Sequence, residues 1–139
     1  MRKIDKIIIH CSATKAGRHF TVEDIDRWHK ARGFAGIGYH YVIYLDGSVH
    51  RGRPEDQTGA HTQGQNSSSV GICYIGGLDA EGKPSDTRTE AQKSSLINLV
   101  DDLEAKYPEA KVYGHCEFAA KACPCFDVKK EFRTVNSEQ

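Results

Sequence analysis

Between Gly114 and Cys125 the chain reads GHCEFAAKACPC, which places a histidine, three cysteines, a glutamate and a lysine within twelve residues. Imidazole and thiolate are zinc donors, and a catalytic zinc keeps three protein ligands plus one open position. The loop between His115 and Cys123 is long enough to fold back, so both can reach one ion, and a third ligand must come from elsewhere. His10 is the candidate. It closes the apolar run KIIIHCSA, and strand ends at a sheet rim are where ligands and reacting groups are presented. By position alone, His10 reads equally well as a hydrogen-bonded core histidine.

The remaining cysteines and histidines read differently. Pro124 constrains the backbone of Cys123-Pro124-Cys125, and C-P-C is not the C-x-x-C spacing of redox or finger motifs, so Cys116 and Cys125 read as bystanders. Cys11 and Cys73 lie in apolar strand contexts and read as small buried hydrophobes. Glu117 reads more simply as a structural hydrogen-bond partner than as a general base. His19, His29, His40 and His50 fit no ligand pattern and are expected at the surface or satisfied in the core.

These groups need a scaffold. KIIIHCSA reads as a buried strand. VEDIDRWHKARG reads as a helix capped by Thr21 and Asp24, with Val22, Ile25, Trp28 and His29 near one face and Gly33 as its stop. Asp46-Gly47 between two strand-like runs predicts a hairpin. Residues 54–69 form a loop rich in Gly, Ser, Asn and Gln, and VGICYIGG reads as a central strand covered on both faces. Thr89 and Gln92 form a capping box for a helix to about Tyr107, with Leu96, Ile97, Leu99, Val100 and Leu103 at helical spacing. KVYG is a short strand delivering His115. FDVKKEFRTV reads as a short terminal helix capped by Asp127, and NSEQ as a polar tail.

The expected fold class is α/β, a mixed central β-sheet flanked by helices. With 139 residues, the chain is expected to be one domain over 1–139, its core about 6–132. Nineteen basic residues balance nineteen acidic ones with no like-charge block, which excludes a dedicated nucleic-acid binder. The apolar run Ile7–Ile9 is far too short for a signal-peptide core or a membrane span. A leaderless chain, cytoplasmic as synthesised, monomeric and with free thiols, is the expectation.

Taken in order, IIIHCSAT, WHKARGF, GIGYHYVIYLDGSV, GAHTQGQNSSSVGICYIGG and HCEFAAKACPCFD resemble the phage-type zinc N-acetylmuramoyl-L-alanine amidases, relatives of the peptidoglycan recognition proteins. The resemblance covers about Ile7 to Asp127. It implies a Zn2+ held by His10, His115 and Cys123, catalytic or substrate-polarising roles for Tyr39 and Lys121, and a substrate groove bordered by the loop carrying His61 and Asn66. It further implies peptidoglycan as the partner, cut between the lactyl group of N-acetylmuramic acid and the first L-alanine of the stem peptide. Such an enzyme reaches the wall after release or by dedicated export.

The residues fit that reaction. Zinc acidifies bound water to a pKa of about 7 and polarises a carbonyl. A thiolate ligand tempers that acidity, so a cation such as Lys121 and a hydroxyl such as Tyr39 are useful where negative charge develops. Without the resemblance Tyr39 reads as a half-buried strand tyrosine. Two rivals remain. A non-catalytic wall-binding module would lack a ligand, and a structural zinc protein would close the site with Cys116 or Cys125.

Overall fold

The computed structural model describes residues 2–133. At its centre lies β1, Lys6–Cys11, whose Ile7, Ile8 and Ile9 are fully buried. A run of β-branched residues suits a strand covered on both faces. β5, Ser69–Tyr74, is likewise buried along its length and runs parallel to β1, with His10 opposite Cys73. β7, Lys111–Gly114, pairs in parallel with the other side of β1. β3, Tyr41–Ile43, joins β5 in parallel and β4, Val49–Arg51, in antiparallel. Their hairpin turns at the expected Asp46-Gly47, where Gly47 has φ of +85°, a conformation glycine adopts without steric cost.

The spatial order β4-β3-β5-β1-β7 is the mixed sheet expected from the sequence. A second, two-stranded sheet pairs β2, Thr14–Lys15, with β6, Gly77–Leu78. Two residues are too few to show a period, so these strands are invisible in the sequence.

Alternation along the strands sorts their side chains. Ile7, Ile9, Val70, Ile72 and Tyr74 share a cluster with Leu96, Val100 and Leu103 of α2, Glu90–Lys106. Ile8, His10, Gly71 and Cys73 therefore take the opposite face. There Val42, which pairs with Cys73, packs with Ile25 of α1, Val22–Ala31. A one-residue slip of β1 would exchange His10 for Ile9 or Cys11 on the site face.

Both helices begin with the expected capping boxes, Thr21 with Asp24 and Thr89 with Gln92. Gln92 does more than cap. Its buried amide also donates to Ile43 O at 3.3 Å and Ile75 O at 3.0 Å, pinning α2 to the sheet. Two helical residues expected to face inward do not: Trp28 is 37% exposed and Ile97 46%.

The predicted terminal helix departs from expectation. Among the described residues it is a single π-helical turn, Lys129–Arg133, with Lys130 N–H donating to Asp127; Thr134, Val135 and the NSEQ tail lie outside them. Arg88 anchors this segment. Its guanidinium pairs with Asp86 and Glu131 and lies 3.4 Å over the Phe126 ring. Among the described residues no helix is long and apolar enough to cross a membrane.

Candidate metal centre and cleft

His10 stands on the site face near the C-terminal end of β1 and is almost wholly buried. The neighbouring β7 ends at Gly114, and His115 follows at once in a 3-10 turn, His115–Glu117. The Glu117 carboxylate accepts from Gly114 N–H at 2.8 Å, the structural role expected of it. The chain then folds back: Cys116 N–H donates to Cys123 O at 2.8 Å, and the Tyr74 hydroxyl donates to Pro124 O at 2.6 Å.

This closure brings the third donor in. The donor atoms of His10, His115 and Cys123 all lie within 4.8 Å of one another, the one such group of three among the described residues. Cys123 Sγ accepts Cys11 N–H at 3.1 Å. Burial, then the charges of His61, His115 and Lys121, holds His10 well below the usual histidine range, and burial followed by Lys121 lowers His115. Both imidazoles are thereby kept neutral, with a lone pair to offer.

The nearby residues fall into two groups. Tyr39 packs its ring 5.0 Å from that of His10, and burial raises its phenol above the usual range, so the hydroxyl stays protonated and can donate. Lys121 is exposed at the mouth of a cleft of about 590 Å³, which Tyr39, His61, Asn66 and His115 also line.

His61 has a second place in the structure. Its Nδ1 lies 2.9 Å from His10 Nε2 and 3.0 Å from Thr62 Oγ1, while its Nε2 lies 3.3 Å from Ser69 Oγ. Burial, then the charge of His40, pushes it down to about 3. Its ring rests on β5 at Gly71, where any Cβ would sit 2.6 Å from His61 Cδ2. Asn66 Oδ1 accepts from the backbone N–H of both His61 and Thr62 at 2.9 Å. These two residues thus shape the loop around His10 as well as lining the cleft.

Sequence reasoning missed Thr62, which is buried with Oγ1 3.2 Å from His10 Nε2. It also passed over His29, Arg32 and Phe34, which line the same cleft. The buried His29 and His40 are satisfied as expected, accepting Gly38 N–H at 2.8 Å and Gly71 N–H at 3.0 Å. Cys73 and Cys11 are buried, Cys116 is exposed, and Cys125 Sγ lies 3.8 Å from Cys11 Sγ.

Comparison with known proteins bears on this arrangement. The sequence profile described as N-acetylmuramoyl-L-alanine amidase matches residues 1–126. The endolysin of Escherichia phage T7 is 45% identical over 126 residues, 91% of this chain and 83% of that one. The endolysin of Enterobacteria phage K11 is 41% identical over 133 residues, covering 96% and 88%. Among solved structures, the N-acetylmuramoyl-L-alanine amidase LysC from Clostridium intestinale superposes with a TM-score of 0.80 at 31% identity, over 94% of this chain and 85% of that one. Drosophila PGRP-LB gives 0.76 at 28% identity, over 89% and 76%.

Proposed function

This chain belongs to the N-acetylmuramoyl-L-alanine amidase family, and from that membership we propose a zinc-dependent hydrolase that cuts the amide between N-acetylmuramic acid and the L-alanine of the peptidoglycan stem. The observation that carries the zinc is the grouping of His10, His115 and Cys123 beside Tyr39 and Lys121.

The donor set fits the ion. Zinc–nitrogen bonds of about 2.0–2.1 Å and zinc–sulfur bonds of about 2.3 Å place two imidazole nitrogens and one sulfur in tetrahedral geometry about 3.3–3.6 Å apart. Donors already within 4.8 Å need only a small contraction. The Cys11 N–H directed at Cys123 Sγ holds the sulfur beside the two imidazoles. Neither Cys116 nor Cys125 joins the group among the described residues, which supports a three-ligand site with an open position over a closed structural one. The presence of all three donors, with Tyr39 and Lys121, favours an enzyme over a binding module.

A zinc ion held there supplies Lewis acidity, polarising the amide carbonyl and acidifying water. Thr62 and His61 hold the His10 ring through Nε2, and such partners fix the orientation of a ligating imidazole. The protonated Tyr39 hydroxyl donates to the oxygen that gains negative charge as the amide carbon becomes tetrahedral. Lys121 sets a positive charge beside the same oxygen. Each is a donor of the kind whose removal costs about 10²–10³ in turnover. The cleft takes the stem peptide, with His61 and Asn66 on its wall. The full chain acts as one catalytic domain, as a monomer, on the cell wall after release or export.

The test is direct. Purified protein incubated with peptidoglycan should release new L-alanine amino termini; a chelator should stop the release and added zinc restore it. Metal-replete protein that frees no alanine amino terminus would refute the reading.

A further inference from the structure

Cys125 stands beside the metal segment without a part in it, and its C-P-C spacing gives it no redox partner along the chain. The fold supplies one. Cys11 ends β1, 114 positions away, and its Sγ lies 3.8 Å from Cys125 Sγ. Both are free thiols, and neither joins the grouped donors His10, His115 and Cys123.

Local structure holds the two sulfurs together. Cys11 follows His10 on β1, so its side chain takes the opposite face, within the cluster of Ile7, Ile9 and Tyr74. Its backbone N–H donates to Cys123 Sγ at 3.1 Å, and Cys123, Cys125 and Phe126 pack on that same cluster. Cys125 is fixed from its own side. Its N–H donates to Ala122 O at 2.7 Å, the preceding Pro124 carbonyl accepts the Tyr74 hydroxyl at 2.6 Å, and its φ is +69°. A residue other than glycine keeps that left-handed backbone only where its surroundings hold it.

Gly77 leaves the space open. A Cβ there would sit 2.5 Å from Cys11 Sγ and 3.7 Å from Cys125 Sγ, so both sulfurs lie beside a residue with no side chain to part them. Cys11 is 4% exposed, whereas Cys125 is half-buried. An oxidant therefore meets Cys125 first, and Cys11 is the resolving thiol.

We propose that Cys11 and Cys125 are a paired oxidation site: a low-molecular-weight disulfide converts them to an intramolecular disulfide that ties the metal segment to β1 and leaves the three candidate donors free. Cys125 Sγ attacks one sulfur of the oxidant, forming a mixed disulfide and releasing one small thiol. Cys11 Sγ then attacks Cys125 Sγ, forming the protein S–S bond and releasing the second. The oxidant takes the two electrons, and the two thiol protons end on the released small thiols. The sulfurs close from 3.8 Å to about 2 Å. A link across 114 positions removes much of the freedom of the unfolded chain. In a reducing compartment the pair stays open, and it closes where the surroundings oxidise. None of this depends on the amidase reaction.

The experiment incubates the full chain, reduced and then freed of reductant, with oxidised glutathione. Zinc-loaded and chelator-treated samples run in parallel, so that the pair is tested apart from the metal. Thiols titrated in denaturant should fall from five to three, the intact mass should fall by two hydrogens, and peptide mapping should join Cys11 to Cys125. The loaded sample should keep its zinc, and Tm should rise by about 5–10 °C over the reduced protein. Cys125→Ser should fold yet lose both the link and the rise in Tm, while Cys116→Ser should keep both. A count that stays at five, a glutathione adduct that persists, or a map that joins either thiol to Cys123 would overturn the proposal. So would loss of zinc on oxidation, an oxidised Tm no higher than the reduced one, or a full rise in Cys125→Ser.

Discussion

Replacing Gly71 by alanine tests whether the His61 ring is held against β5 as the structure has it. The new Cβ would sit 2.6 Å from His61 Cδ2, 2.7 Å from Cγ and 2.8 Å from Nε2, well inside the contact optimum of about 3.5–4.0 Å. The ring is tied on both sides by His10, Thr62 and Ser69, so it moves only by giving up those partners. In an open strand, glycine to alanine should stabilise by about 0.5–1 kcal/mol. Overpacking a closed site costs about 1–3 kcal/mol. The clash wins, and Gly71→Ala should destabilise the metal-free protein by about 1–2 kcal/mol in urea unfolding. The displaced ring also releases His10, and losing such a partner weakens metal binding by about 10- to 100-fold, readable by zinc competition with a chromophoric chelator. In a His61→Ala background the same alanine should become neutral or stabilising, since the clash is gone. A Gly71→Ala protein with wild-type stability and zinc affinity would show that the ring is not held there.

Further outcomes follow from the same geometry. Cys123→Ala should lose most of its zinc in metal analysis, while Cys116→Ser and Cys125→Ser, singly and together, should keep about one ion per chain; release of metal by either serine variant would favour a closed site. Tyr39→Phe and Lys121→Ala should retain zinc and fold yet fall by about 10²–10³ in turnover, and wild-type rates would remove both from the reaction. Since His61 is pushed down to about 3 and His10 is also lowered, the unfolded chain binds protons first. The His61 contribution to stability is therefore full above a pH of about 6.5 and drains as the pH falls toward 3, and that of His10 is lost in the same direction. Chelator-treated wild type should lose about 2 kcal/mol more than His61→Ala between pH 6.5 and 4.5, and equal losses would contradict the assignment.

The sequence made the three candidate metal donors legible because each sits at a local landmark. His10 ends an apolar strand, His115 follows a short one, and Cys123 lies within reach of it in one motif. The capping boxes and the Asp46-Gly47 turn were legible for the same reason, since their partners lie within three residues. What stayed hidden depends on contacts between distant segments. Thr62 reaches His10 across 52 positions, and Gln92 reaches Ile43 O across 49. Gly71 looked like one more small residue in an apolar run, and only the His61 ring against it gives it a reason. Arg32 lay within a motif yet at a helix end, where a cation is unremarkable, and its place on the cleft wall is seen only in three dimensions. Trp28 and Ile97 kept the helical period and still reached solvent, because the apolar stripe of a helix is wider than the surface that covers it.

The metal cradle joins the two ends of a long stretch of chain. The backbone N–H of Cys11 meets the sulfur of Cys123 across 112 residues, and His10 and His115 come from adjacent parallel strands. At about 5–20 residues per second of synthesis, β1 waits on the order of ten seconds for β7 and Cys123 to leave the ribosome. Until then its buried isoleucines lack one neighbour and His10 lacks both of the donors grouped with it. A chain that stops short of Cys123 thus lacks one of the three candidate donors, and the cradle can form only after 112 further residues have followed Cys11.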